Sequence, residues 1–197
     1  MKLKEYELVK NMKYEEYCNY LKEKYGEITK PYYRPTFTKN ASISRTKDGL
    51  LIHHIREDSG VMLSTKDVAM SQPYEWQLGE NLVYCDYLEH LLLHIMLTEE
   101  SEIDSPIGIG GVHNFIAIEL NDVFSGFVTK QAWRYTCHQK IINDKDVFFS
   151  LMKRFKNNCK NKLFYNEKLL YRSYNQEFLL WDDDLNQKIY KQIKAIE

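Results

Sequence analysis

Hydrophobic residues recur at helical spacing along much of the chain, and this periodicity predicts a mainly helical protein. Residues 82–97 form the most apolar stretch. They are apolar on most sides, so this helix is predicted to be buried. The predicted helices cover residues 5–24 (as one or two helices), 82–97, 128–142, 146–158 and 185–196.

Two short apolar runs are typical of strands rather than helices. Leu50 to Ile55 follows a turn and has the length of a strand, and Val61 to Leu63 is predicted as a second strand. Ser64 or Thr65 then caps a short helix, and Asn81 is the expected N-cap of the buried helix. Together these elements predict an α+β fold.

The composition describes a chain that can bury a core and excludes several classes of protein. Of 197 residues, 44% are hydrophobic and 28% charged, unlike a disordered chain or a collagen. No apolar run approaches the ~20 residues that span a bilayer, and the first ten residues lack a signal-peptide pattern. Cysteines 18, 85, 137 and 159 form no CxxC pair. We therefore expect no membrane partner, and a reducing cytoplasm as the compartment.

The net charge of −1 conceals a strong charge pattern. Residues 1–47 carry 11 basic and 6 acidic side chains, whereas residues 48–122 carry 2 basic and 14 acidic ones. Residues 126–173 are basic again, with 11 basic and 3 acidic side chains. An acidic segment can hold a cation, and basic segments can hold a polyanion.

Four of the six histidines occur in two close pairs. His90 and His94 lie four residues apart on the predicted buried helix, so both rings project from one face, as metal-binding pairs do. His53 and His54 are adjacent near the end of the first strand, where a regular strand would send them to opposite faces. Either pair alone is more simply explained as an ordinary core feature. The two pairs together favour a metal site.

The pattern of these pairs with Asn81 resembles the HNH (His-Me finger) nucleases. The shared elements are a His-His doublet, an asparagine, and a His-x-x-x-His pair nine residues after the asparagine. The resemblance covers about residues 49–98, and the stretch 45–125 is also similar to small HNH proteins of phages and mobile elements. It implies a central ββα-metal finger.

The resemblance also implies a role for each residue of the pattern. His53, His90 and His94 would bind one divalent metal ion, with Mg, Mn, Ni and Zn all left open. His54 would be the general base that activates water, and Asn81 would orient that base. Imidazole, with a pKa near 6.5, suits this proton transfer near neutral pH. The implied activity is metal-dependent hydrolysis of DNA phosphodiester bonds.

The chain departs from the family pattern in two places. The 27 residues from His54 to Asn81 are longer than in compact members, so residues 59–79 are expected to be an insertion. The usual proline after the doublet is absent, and Arg56-Glu57-Asp58 stands there. Glu57 or Asp58 could add a carboxylate ligand, although exposed turn charges are the favoured interpretation. To bring both histidines of the doublet to one site, the strand is predicted to break at residues 55–57.

The segments around the pattern divide the chain into three parts, which we expect to form one unit. Residues 1–44 are a basic helical segment, residues 45–125 the HNH core, and residues 126–197 a basic helical segment. Basic residues interleaved with aromatics in the last segment are candidates for nucleic-acid contact: Lys130, Arg134, Lys153, Arg154 and Lys156. A solvated helix face over an aromatic core explains them equally well. The glycine-rich residues 107–112 lack the dinucleotide-binding spacing.

Two further functions compete with an endonuclease of phage, mobile-element or defence origin. One is a non-catalytic binding protein on the HNH scaffold, such as a counter-defence inhibitor that grips a nucleic-acid-binding protein. The acidic segment, which can mimic DNA phosphates, motivates it. The other is a toxin domain with an immunity protein as partner. The sequence leaves open the target, DNA versus RNA, and the oligomeric state.

Overall fold

Helices dominate the part of the chain that the computed structural model describes, which is residues 1–174 and 183–196, with no side chains described for 183–186. The described residues contain one sheet, of two antiparallel strands. The α+β, mainly helical prediction is therefore confirmed. Residues 175–182 and 197 of the predicted C-terminal segment lie outside the described residues.

The N-terminal segment forms two helices, α1 (Leu3–Val9) and α2 (Tyr14–Tyr25). Both bury residues at helical spacing, including Tyr17 and Leu21 of α2. Gly26 ends α2 with a φ of 85°, a conformation that costs glycine little. The prediction of one or two helices before this glycine is confirmed.

The sheet pairs β1 (Leu51–His54) with β2 (Leu82–Cys85), so that His53 lies opposite Val83 and His54 opposite Leu82. The predicted strand at 50–55 is confirmed. The predicted strand at 61–63 is wrong, because Met62 adopts a positive φ of 59° in a turn.

The two faces of this hairpin pack against different hydrophobic clusters. Val83 and Cys85 belong to the larger cluster, which holds most of the helices, whereas Leu82 and Tyr84 belong to a smaller one. Because side chains alternate along a strand, His53 and His54 must also lie on opposite faces.

The connection between the strands includes one short helix, α3 (Lys66–Met70). Thr65 is its N-cap residue, as predicted, although its side chain makes no capping hydrogen bond. Three 3₁₀ turns complete the connection: Ile55–Asp58, Tyr74–Gln77 and Gly79–Asn81.

The central helix is α4 (Tyr87–Glu100), which begins five residues later than predicted. Its N-cap is Asp86, whose carboxylate accepts hydrogen bonds from the backbone N–H groups of Leu88 and Glu89. Asn81 is therefore not the N-cap. The predicted burial is confirmed, since most of α4 is enclosed by its neighbours.

The remaining helices surround α4. Residues 109–124 run as α5 (Ile109–Gly111), a π-helical turn (Val112–Ile116) and α6 (Ala117–Phe124), followed by α7 (Ala132–Ile141), α8 (Lys145–Cys159) and α9 (Asp183–Lys194). The larger cluster includes Tyr17, Leu92 and Phe148, one from each predicted segment. Among the described residues, no helix combines the length and apolar character that crossing a bilayer requires.

Candidate metal centre

Three of the predicted metal ligands lie together between β1 and α4. His53 extends from the face of β1 that packs on α4, and His90 and His94 extend from successive turns of α4. One nitrogen of each ring lies within 4.8 Å of the others. The hairpin and the helix thus bring distant parts of the chain to one point.

The spacing of these nitrogens fits a shared transition-metal ion. Ligand atoms about 2.1 Å from a tetrahedral ion lie about 3.4 Å from each other. His90 Nε2 and His94 Nε2 are 3.3 Å apart, and the His53 ring lies 5.1 Å and 5.2 Å from the other two ring centroids. The three imidazoles need little movement to bind one ion.

Tyr14, on α2, fixes the tautomer of His53. The Tyr14 hydroxyl lies 2.8 Å from both the carbonyl oxygen of Ile55 and His53 Nε2, and its single proton satisfies both contacts only if it donates to Ile55 and accepts from His53. The proton of His53 is therefore on Nε2, and Nδ1 carries a lone pair. That Nδ1 is buried without a hydrogen-bond partner, 3.9 Å from Glu57 Oε2 beside the cluster. An unpartnered lone pair in this position suits a metal ligand.

The glycine-rich segment fixes His94 in the same way. Nδ1 of His94 lies 3.2 Å from the carbonyl oxygen of Gly108 and must donate to it, so Nε2 carries the lone pair toward His90. A Cβ on Gly111 would overlap the His94 ring. The spacing of the glycines in residues 107–112 does not indicate this role, because it identifies neither the His94 contact nor the close packing at Gly111.

Glu57 lies beside the cluster on the 3₁₀ turn that follows β1. Its Oε2 is 3.3 Å from His94 Nε2 and 3.9 Å from His53 Nδ1. Its side chain is only 14% exposed. The favoured sequence interpretation, an exposed turn charge, is wrong for Glu57, whereas Asp58 is exposed.

Burial sets the protonation states of the centre. It holds the pKa of His53 and of His90 well below the usual value, and lowers the pKa of His94 to about 4. The three imidazoles are therefore neutral near pH 7, which metal ligation requires. Burial also raises the pKa of Glu57 to about 7, because no cation compensates its charge.

The structure does not bring His54 to the centre. His54 extends from the opposite face of β1, where Nε2 is 3.1 Å from Oε1 of the buried Gln77 and the ring contacts Tyr32. Burial lowers its pKa to about 4. The strand ends before residues 55–57 as predicted, since a 3₁₀ turn begins at Ile55, but His54 still follows the regular alternation of β1. His54 is therefore not placed to activate water at the three-histidine cluster.

Asn81 likewise lies outside the cluster. It ends the last 3₁₀ turn before β2, and its side-chain amide donates to the carbonyl oxygen of Glu75 at 2.8 Å. In this position it stabilises the connection between the strands rather than orienting a histidine.

The predicted nucleic-acid contacts divide into paired and exposed residues. Arg134 pairs with Glu119, Arg154 pairs with Glu99, and Lys156 donates to two backbone carbonyl oxygens near the end of α9. Lys130 and Lys153 are exposed. The structure therefore leaves Lys130 and Lys153 as the members of this group with side chains open to solvent.

Comparisons of the chain with family models, with curated proteins and with solved structures find no match. The functional argument therefore depends on the geometry of the centre.

Proposed function

We propose that this protein is a metal-dependent hydrolase of phosphodiester bonds, with DNA as its substrate. The observation that carries the proposal is the convergence of His53, His90 and His94, each of which places one ring nitrogen within 4.8 Å of the others. Neutral nitrogen ligands leave the charge of a divalent cation available for an anionic substrate.

The arrangement of the ligands supports the nuclease class in particular. The first ligand comes from an antiparallel hairpin and the other two from the helix directly after it, which is the element order of a ββα-metal finger. The order holds despite the long connection between the strands. In this proposal the hairpin and α4 are the finger, and the helices around them support it.

The chain's own residues hold and orient the site. Tyr14 orients the ring of His53 and the Gly108 carbonyl orients the ring of His94, each through the nitrogen that is not offered to the metal. Helix α4 keeps His90 and His94 on one face. A bound divalent cation would polarise the phosphate and lower the pKa of water toward neutrality. Because His54 faces away, the proposal assigns it a packing role against Gln77 instead of proton transfer.

Cleavage of supercoiled plasmid tests the proposal. Metal-free protein is supplied with Mg²⁺, Mn²⁺, Ni²⁺ or Zn²⁺ in turn, and nicked and linear products are measured. The wild type is expected to cleave with at least one ion, and His53→Ala to lose at least about 100-fold of the activity, since it removes a ligand.

The neighbouring residue provides the matched control. His54→Gln keeps a group that can bond to Gln77 and is expected to retain activity within about threefold of wild type, since it leaves the ligands in place. Circular dichroism confirms that both variants fold. A wild type that is inert with every ion, or a His53→Ala variant as active as wild type, would contradict the proposal.

Burial of the centre favours a second candidate, a binding protein that uses the metal as structural support. His53 and His94 are 1% and 7% exposed, as in a closed site. This candidate predicts a tightly held ion with no cleavage, and stable association with a basic protein surface. If the wild type retains its metal but leaves plasmid intact, the binding protein is the favoured function.

A further inference from the structure

A buried carboxylate beside the three imidazoles extends the donor set. Glu57 reaches the cluster from the 3₁₀ turn that continues β1, so the strand that supplies His53 also supplies this group. Among the described residues, the basic side chains within ion-pair distance of its carboxylate are His53 and His94 alone, and both imidazoles are neutral near pH 7. No lysine or arginine of the described chain is paired with it.

The contact between Glu57 and His94 requires something positive between them. His94 Nδ1 donates to Gly108, so Nε2 presents a lone pair to Glu57 Oε2 at 3.3 Å. Two acceptors in contact repel each other unless a proton or a cation lies between them. The same nitrogen also faces His90 Nε2 at 3.3 Å, so two polar groups approach the lone pair of His94.

Three separations within the extended donor set are close to those of ligands around one ion. Adjacent ligands of a tetrahedral zinc ion are about 3.4 Å apart. Glu57 Oε2 lies 3.3 Å from His94 and 3.9 Å from His53, and His90 lies 3.3 Å from His94. The carboxylate therefore lies at the distance of a ligand.

We propose that Glu57 is the fourth ligand of the centre, which makes it a three-histidine, one-carboxylate site for a zinc-class transition ion. The inference depends on the metal centre of the proposed function, and in the hydrolase the substrate would bind as a fifth ligand, to which zinc sites can expand. Three imidazoles with one carboxylate favour Zn²⁺, Co²⁺ or Ni²⁺ over Mg²⁺ and Ca²⁺, which prefer sites made of oxygen ligands. A bound cation would also compensate the negative charge of Glu57, and the burial of that carboxylate would then cost less free energy.

Titration with Co²⁺ tests the inference, because its visible spectrum reports the number and type of its ligands. Metal-free wild type is expected to bind one equivalent with the intense bands of a four-coordinate ion, and to keep it in a roughly hundredfold excess of Mg²⁺. Glu57→Gln is expected to lower the affinity for Co²⁺ by about 100-fold and to shift the spectrum. Asp58→Asn, the matched control, removes the adjacent exposed carboxylate and is expected to change neither.

The outcomes separate this inference from the proposed function. If Glu57→Gln keeps the wild-type spectrum and affinity while His94→Ala loses both, the three-histidine centre stands and Glu57 is not a ligand. If Mg²⁺ displaces Co²⁺ at equal concentration, the zinc-class assignment is overturned. If wild type binds no Co²⁺ at all, the inference and the metal centre fail together. Plasmid cleavage is measured separately and does not enter this result.

Discussion

At the residue scale, two of the three imidazoles of the centre are oriented by a neighbour outside the set of ligands. Tyr14 accepts from His53, and the Gly108 carbonyl accepts from His94. These contacts put the protons on the outer nitrogens and leave lone pairs on the inner ones. Partners of this kind commonly contribute 10–100-fold to metal affinity.

Gly111 provides the sharpest test of this orientation. Its φ of −63° is ordinary for alanine, so the backbone does not require glycine. A Cβ there would nevertheless overlap the His94 ring and push it from its position. We expect Gly111→Ala to lower the affinity for Zn²⁺ by about 10–100-fold, measured by calorimetric titration, with a stability loss of about 1–3 kcal/mol.

Gly110 is the matched control for that substitution. A Cβ on Gly110 would meet only Asn114 Nδ2, at 3.9 Å, which is ordinary contact. Gly110→Ala is therefore expected to bind Zn²⁺ as the wild type does. Equal affinities for the two alanine variants would contradict the role assigned to Gly111.

The residue pattern predicted part of the centre and missed part of it. His90 and His94 were predictable because a helix fixes the direction of residues four apart. His53 was predictable only through the resemblance, and Glu57 was missed because a charge after a strand is usually solvated. His54 was assigned to the site on the expectation of a broken strand end, but the break at Ile55 comes after His54 and leaves its side chain on the opposite face of β1.

At the element scale, the helix that carries two ligands depends on its N-cap. The Asp86 carboxylate accepts from two backbone N–H groups at 2.9 Å and also contacts the Met1 ammonium group. Glu89 returns a hydrogen bond to the Asp86 N–H, which completes a capping box. The start of α4 is thereby fixed one turn before His90.

Removal of this cap is expected to destabilise the protein. Asp86→Ala leaves buried N–H groups and the Met1 ammonium without a partner, so the free energy of unfolding should fall by about 2 kcal/mol or more. Urea denaturation measures it. Thr65→Ala is the control, because Thr65 occupies an N-cap position without a capping bond and should lose less than about 0.5 kcal/mol. Similar losses for both variants would contradict the assignment.

Residues 82–85 were predicted as the start of the buried helix but form β2, and the burial of this strand explains the wrong prediction. All four residues of β2 are buried, so the strand shows no alternation and reads as the first turn of the apolar helix behind it. The spacing of Asp86 and Glu89 was the available signal, since an acidic N-cap followed three residues later by glutamate marks a helix start. That signal places the strand before residue 86.

At the scale of the whole molecule, the charge pattern is explained in part by pairing between the blocks. Arg134 and Arg154 of the basic segment pair with Glu119 and Glu99 of the acidic one, and Lys24 of the first block pairs with Glu89. Part of the basic charge that suggested a polyanion partner, that of Arg134 and Arg154, therefore pairs within the fold. Sequence alone could not show this, because it does not reveal which blocks meet.

The buried histidines predict how stability depends on pH. Burial lowers five histidine pKa values below the usual 6.5, so the unfolded chain binds protons first as the pH falls. The contribution of these neutral histidines to the free energy of unfolding is thus fully present above about pH 6.5 and is lost as the pH falls toward 4. The five residues are His53, His54, His90, His94 and His113.

Two buried carboxyl groups act in the opposite direction but are outnumbered. Glu57 and Glu89 have pKa values raised to about 7, so their protonation adds stability as the pH falls from about 7 to 4.5. For metal-free protein in a chelator, we expect the free energy of unfolding to be about 2–4 kcal/mol lower at pH 5 than at pH 7. Urea denaturation at both values measures it, and equal or greater stability at pH 5 would contradict the burial of these imidazoles.

The most direct measurement of the central claim is anomalous X-ray scattering from crystals of the protein soaked in Zn²⁺. The account predicts one strong peak enclosed by His53 Nδ1, His90 Nε2 and His94 Nε2, about 2.0–2.1 Å from each nitrogen. A saturated crystal whose zinc peaks lie only at other positions, with these three nitrogens bound to no ion, would contradict it.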